Sequence, residues 1–397
     1  MADSVAVLAI ACISTAIWIY LLTARGGFWL APVRDDDGEA APCSTGPQVT
    51  AWPQVTAIIP ARNEADVIAQ SMRALITQDY PGRLNIILVD DQSRDSTSVA
   101  ARNAAAGLRA EDRLDIVAGQ TLPAGWAGKV WAMKQGVNRA DSVPHPSKYL
   151  LFMDADITCT RGAVRQLVLR AETKNLVLTS LMARLRCESW AERALIPAFV
   201  FFFQMLYPFT WVNDPGRKTA AAAGGCMLVR RDALRQAGGL ETIRNALIDD
   251  CALGRALKAV GPVWLGLTDR VHSLRPYPQI QDVGRMVSRS AYHQLRYSPL
   301  LLVGTTVGMA LTYLAPPLLA LFATGLSQIL GAAAWLVMAI AFQPMLRFYR
   351  VSPLWGVALP AIGCAYLVFT LNSAYQHLRG RGGLWKGRMQ ANMSGTP

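Results

Sequence analysis

This sequence lacks sulfur pairs, phosphate loops and the positive start of an export leader. Its seven cysteines stand at 12, 43, 159, 187, 226, 251 and 364 with no CxxC spacing. That argues against a zinc site and a disulfide framework, and favours a reducing, cytoplasmic setting for the main domain. No strand end described below carries a GxGxxG or GxxxxGKS loop, so a dinucleotide fold and a P-loop lose their main support. The chain begins MADS, with Asp3 where a cleaved leader would be positive, so residues 5–24 are read as an uncleaved anchor.

Long stretches also lack charge. Residues 5–24, 299–326, 329–346 and 354–372 contain no charged side chain, and each has about the length of a bilayer-crossing helix. Pro316, Pro317 and Pro360 are expected to kink them. Arg25 and Arg34 follow the first run, which places the next domain in the cytoplasm. Residues 194–212 are also uncharged, but they contain Pro197, Pro208 and four phenylalanines between 199 and 203. They are expected to form a broken, interfacial helix rather than a span. Residues 34–48 are acidic and contain Gly and Pro, and read as a mobile spacer.

What is present is apolar and basic. The 397 residues are 52% hydrophobic with a net charge of +12. A basic chain suits nucleic acid, anionic lipid or a phosphorylated substrate. Between Val55 and about Asp269 short apolar runs alternate with helical spacing. VTAII (55–59), LNIILVDD (84–91), LDIVAG (114–119) and YLLFMDAD (149–156) read as strands. The stretches 65–78, 96–110 and 128–140 read as helices. Strands apolar throughout, alternating with helices, imply a parallel sheet covered on both faces. Ligands then bind at the carboxyl strand ends. Those ends carry PARNE (60–64), DDQS (90–93) and DAD (154–156).

Asp154 and Asp156 are two apart in an extended chain and so point the same way. Turn chemistry is the bland alternative. The strand behind them favours a site: two carboxylates repel unless a cation intervenes, and Mg2+ or Mn2+ takes oxygen ligands and bridges to phosphates. Asp249 and Asp250 precede Leu253, Leu257 and Val260 on one helical face, so they sit at a helix N-terminus, where Asp also serves as a cap.

The ordered runs IIPARNE, VDDQS, GWAGK, MDAD, GGCMLVRR and IDDCALGRAL, over residues 52–270, resemble the family 2 glycosyltransferases. Within that family, GWAGKVWA and the arrangement of apolar segments most resemble the bacterial hopanoid-associated glycosyltransferases, with ceramide glucosyltransferase a more distant likeness. The resemblance implies an α/β GT-A fold and inverting transfer from a nucleotide-diphosphate sugar to a lipid acceptor. It implies a bacterial inner-membrane setting with the catalytic domain inside. The expected partners are the donor, the acceptor and membrane lipid, and not nucleic acid.

Carried over by resemblance, Pro60, Ala61 and Glu64 line the nucleotide site, and Asp91 accepts a hydrogen bond from the base. Lys129 meets phosphate from a helix start, and Arg62 is left facing solvent. Asp156 holds the divalent metal, Asp154 contacts ribose or metal-bound water, and Asp250 is the general base. Asp249 stands where the family has Glu. Gly224 and Gly225 let the acceptor approach; Trp126 and Trp131 frame the sugar or fill core. The family's (Gln/Arg)xxArgTrp motif appears as His293-Gln-Leu-Arg296-Tyr297, a departure that counts against a processive polysaccharide synthase. Arg285, Arg289, His293 and Arg296 recur at helical spacing and form an expected basic stripe toward lipid headgroups. A non-catalytic nucleotide-sugar-binding protein is the third reading, disfavoured because Asp156 and Asp250 are both present.

The expected organisation is an anchor (1–25), a linker (26–52), a GT-A domain (53–271) including the interfacial helix, a basic helix (272–298), membrane segments (299–376) and a basic tail (377–397). The tail's Arg379, Arg381, Lys386 and Arg388 favour the cytoplasm, which requires Pro360 to break the last apolar segment.

Overall fold

The computed structural model describes residues 4–35 and 51–380, with the backbone of 384–385 and 388–389. The chain divides into two units. Among the described residues, one unit, called the catalytic unit because it holds the strand ends expected to carry the site, comprises Val33–Arg186 and Trp211–Arg275, and a helical unit comprises Met1–Pro32, Cys187–Thr210 and Pro276–Gly383.

The catalytic unit is built on an eight-stranded sheet. Its strands are β1 (Val55–Ala61), β2 (Leu84–Asp90), β3 (Leu114–Ala118), β4 (Tyr149–Met153), β5 (Ile157–Cys159), β6 (Leu178–Arg184), β7 (Cys226–Arg230) and β8 (Val263–Ser273). They lie in the order β3-β2-β1-β4-β7-β6-β8-β5. All seven residues of β1 and all five of β4 are buried, which is why they read as unbroken apolar runs. β1 pairs parallel with β2 and with β4, and β2 with β3. The expectation of a parallel sheet holds throughout only for this half; beyond β4 the sheet is mixed, with β6 still parallel to β8. β7 runs antiparallel to both β4 and β6, and β5 antiparallel to β8. Hydropathy reports burial on both faces, not direction, so sequence alone cannot separate the halves.

Only the start of the acidic spacer is described, and it is not loose. Asp35 is buried at 6% exposure. Its carboxylate lies 3.1 Å from both Arg170 and Arg270, and its N–H donates to the Leu267 carbonyl of β8. Burial raises the Asp35 pKa, against the two guanidiniums. The rest of the spacer lies outside the described residues.

In the helical unit, Val5–Thr23, Pro299–Phe322 and Gly325–Tyr349 are long and apolar enough to cross a membrane. The middle one passes through a π-helical stretch, Ala310–Leu314, just before Pro316 and Pro317. Pro316 has no N–H for the Thr312 carbonyl four residues back. That carbonyl accepts instead from the Trp18 indole at 2.8 Å.

Three expectations are corrected here. Pro360 does not break its segment: Leu359–Leu378 is one helix with Pro360 in its first turn, where a missing N–H costs nothing. The block 194–212 is not broken at Pro197, which lies inside the helix Trp190–Leu206, but it is broken at Pro208, before the helix Phe209–Asn213; residues 187–210 belong to the helical unit, not to the catalytic stretch 53–271. The phenylalanines of the longer helix find partners on several sides: Phe201 against Phe28 and Phe342, Phe202 against Tyr313 and Tyr366. Arg25 caps it by donating to the Met205 and Leu206 carbonyls at 2.9 and 3.1 Å. The basic stripe over 285–296 is not one helix either. Ile280–Ser288 ends, Ala291–Gln294 forms one turn, and Arg296 and Tyr297 have positive φ. There His293 Nδ1 meets the Tyr297 hydroxyl at 3.1 Å, and Tyr297 stacks on His377. The Tyr in place of the family's Trp is thus a packing residue, and Arg296 follows from a turn. The tail from 381 lies outside the described residues, apart from those backbone pairs.

Candidate functional site

The strand ends of β1, β2 and β4 and the N-termini of two helices supply the site. Helix Gly128–Asp141 starts with Lys129 at its second residue, and helix Asp249–Lys258 starts with the two aspartates. Lys129 Nζ lies 2.8 Å from Asp154 Oδ1 and 3.3 Å from Asp249 Oδ2. One ammonium therefore joins the strand-end carboxylate to the start of the second helix. Burial alone would lower its pKa, but Asp154 and then Asp249 reverse this and raise it, so it stays charged.

Asp250 is held by its own geometry. Its Oδ2 accepts from the Gly224 N–H at 2.9 Å and its Oδ1 from the Cys251 N–H at 2.7 Å. Burial, with Asp249 next to it, pushes its pKa up to about 6, against the pull of Lys129. A carboxylate poised there is ionised at neutral pH yet a better proton acceptor than an ordinary aspartate. The expected cap does not form: Ile248 is the N-cap, and Asp249 and Asp250 are the first two residues of the helix. Gly224 serves this carboxylate directly: a Cβ there would meet Asp250 Oδ2 at 3.2 Å and Lys129 Nζ at 3.3 Å. At Gly225 a Cβ would meet Ala183 and Ile157 at 3.3 Å, so packing explains that glycine.

On the nucleotide side, β1 ends in Pro60 and Ala61, both buried. Arg62 does not face solvent. It is 9% exposed and donates to the Asp91 and Gln92 carbonyls at 2.5 and 3.2 Å, with Asp91 Oδ2 3.8 Å away. It ties the end of β1 to the end of β2, and Asp91 itself is fully buried. Asn63 adopts a positive φ and accepts from the Arg94 N–H through its side chain at 2.8 Å. Trp126 and Trp131 pack edge to face at 5.2 Å.

One residue escaped the sequence reading. Arg275, two beyond β8, donates from Nη2 to both oxygens of Glu64 at 2.9 Å and from Nε to Asp156 Oδ2 at 2.7 Å. No motif contains it. The available signal was its place at the end of the strand that pairs with β5, directly after the Asp156 turn. Each carboxylate of the 154/156 pair therefore has a cation from the chain itself. The repulsion expected between them is relieved without a metal, so repulsion does not argue for one.

The donor set still fits a hard divalent ion. It is all oxygen, and Mg2+ commonly takes one or two carboxylates with phosphates and water supplying the rest. Among the described residues no group of three His, Cys, Asp or Glu side chains is placed to hold a metal.

Residues 56–238 match Glycosyl transferase family 2. The 4,4'-diaponeurosporenoate glycosyltransferases of Staphylococcus aureus strains MRSA252 and USA300 are 28% identical over 209 residues, 51% of this chain and 50% of theirs. The chain thus spans about half the length of these curated relatives. A mannosyltransferase from Pyrobaculum calidifontis, solved in complex with GDP-Man and Mn2+, matches with a TM-score of 0.55 at 18% identity over 94% of this chain and 99% of that one. At that identity the likeness establishes the fold, which is GT-A.

Proposed function

We propose that this chain, which carries a family 2 glycosyltransferase domain, moves a sugar from a nucleotide-diphosphate donor to the hydroxyl or carboxyl of an apolar lipid, with inversion. The observation that carries the reading is Lys129 touching both Asp154 and Asp249. That contact supports a donor-phosphate role for Lys129, beside the helix that carries the proposed base.

Pro60, Ala61, Glu64 and Asp91 line the nucleotide, and Lys129 neutralises the diphosphate from a helix N-terminus. Asp156, with Asp154 beside it, would hold a divalent ion, which would supply Lewis-acid stabilisation of the departing diphosphate. Asp250 takes the acceptor proton. The acceptor oxygen then bonds to the sugar C1 as the C1–O bond to the diphosphate breaks on the opposite face, which inverts that carbon. The Gly224 and Cys251 N–H groups keep the carboxylate aimed throughout. The apolar helices bring the enzyme to its acceptor in the bacterial inner membrane, with the catalytic unit in the cytoplasm.

A hopanoid is the acceptor we favour within this class. The Staphylococcus aureus relatives, named as 4,4'-diaponeurosporenoate glycosyltransferases, support an apolar carboxylic acid as the alternative. Membranes containing the wild type or Asp250→Asn, incubated with labelled nucleotide sugars and with hopanoid or carotenoid-acid lipid, test the reading. Label in a lipid fraction from the wild type alone is expected. Label only in water-soluble or polymeric product overturns it.

A further inference from the structure

Arg275 is presented to Asp156 by the main chain. The Leu274 N–H donates to the Asp156 carbonyl at 2.8 Å, so the next side chain emerges beside that carboxylate. Its guanidinium divides its donors between Asp156 and Glu64, the latter only 6% exposed. These are charge-assisted, forked contacts of the kind arginine makes better than lysine.

We propose that Arg275 is the resident cation of Asp156, which a divalent ion must displace, so that metal enters with the diphosphate and not ahead of it. This rests on the reading of Asp156 as a metal ligand. A bare dication has to strip the guanidinium from Asp156 Oδ2 and then sit beside a like charge. A diphosphate changes that balance. It adds negative charge to the site and offers the freed Nε–H new oxygen acceptors, while Nη2 stays on Glu64. Metal and diphosphate then raise each other's affinity by the same factor, as linkage requires. Lys129 is a poorer candidate for this role, because Asp249 is its second partner and its charge already serves the diphosphate side.

Mn2+ binding to the full chain in detergent, followed by the electron paramagnetic resonance of free Mn2+, tests this with and without GDP or UDP. For the wild type, weak binding alone and binding about tenfold tighter with the nucleotide are expected. Arg275→Gln is expected to tighten Mn2+ alone by about tenfold and to lose most of the nucleotide's effect. If that variant unfolds because the buried Glu64 loses its Arg275 contacts, Arg275→Gln with Glu64→Gln gives the same metal-only comparison. Unchanged affinities in a folded variant, or both weakened equally, overturn the proposal while Asp156 stands as ligand. Mn2+ binding that ignores Asp156→Ala in every condition overturns the metal reading and the proposal together.

Discussion

Exposure has opposite chemistry in the two units. In the catalytic unit the inward charges are paired: Lys129 with Asp154 and Asp249, Arg275 with Glu64 and Asp156, Asp35 with Arg170 and Arg270. In the helical unit large apolar side chains stand bare, with Leu300 at 79%, Phe322 at 77% and Leu336 at 62% exposure. Water rewards the first pattern and hydrocarbon the second. If the helical unit lies in hydrocarbon, as its three long apolar helices suit, the same substitution should have different consequences in each unit.

The largest effect belongs to the charged cluster. Asp156→Ala is expected to lower turnover by about 10³-fold, the scale of a lost Lewis acid, while the unfolding midpoint stays near that of the wild type. EDTA should do the same to the unmutated protein. Full activity in excess chelator would remove the metal from the mechanism.

Asp250→Asn comes next. It keeps an acceptor for the Gly224 and Cys251 N–H groups but cannot take a proton, so turnover should fall by about 10²-fold or more. The wild-type profile carries a sign as well. A base whose pKa is raised to about 6 is protonated below that pH, so kcat/KM should fall as pH drops through about 6 and stay level above it. A variant lacking the base should lose that limb. A profile flat down to pH 5 in the wild type would shift the role away from Asp250.

These residues were legible in the sequence because each lies within a local pattern. Asp154 and Asp156 close an apolar run, and Asp249 and Asp250 open an amphipathic helix. What was hidden depends on long-range pairing. Arg275 meets Glu64 across 211 positions, and nothing near Arg275 marks it. Arg62 looked like a solvent-facing side chain until β2 was laid beside β1. In the helical unit prolines misled twice. A proline signals a missing N–H, but whether the helix breaks depends on what takes the orphaned carbonyl: for Thr312 it is Trp18, 294 positions away.

Paired charge insertions test the two-solvent contrast directly. Val99 is 53% exposed in the catalytic unit and Leu336 is 62% exposed in the helical unit. Val99→Arg should change stability by less than about 0.5 kcal/mol, as surface changes usually do. Leu336→Arg should cost about 2.5–3.5 kcal/mol if its surroundings are hydrocarbon, seen as a lower membrane-inserted yield. Equal tolerance of both would place the helical unit in water.

The smallest effect separates the two uses of glycine. At Gly331 a Cβ would lie 2.5 Å from Leu319 Cβ and 2.8 Å from the Ala320 backbone nitrogen. Backbone cannot step aside, so Gly331→Ala should overpack the apolar helices and cost about 1–3 kcal/mol of stability. At Gly224 the contacts are side-chain atoms of Asp250 and Lys129 at 3.2–3.3 Å, and these can yield by a few tenths of an ångström. The added methyl should leave the unfolding midpoint alone. It displaces the carboxylate that the Gly224 N–H aims, and misplacement of a reacting group by a fraction of an ångström is costly in rate. Gly224→Ala should therefore lower kcat by about tenfold with the KM for the nucleotide sugar little changed. A fall in stability with kcat intact would instead make Gly224 a packing residue like Gly331, and the aim of Asp250 would have to come from the Cys251 N–H alone.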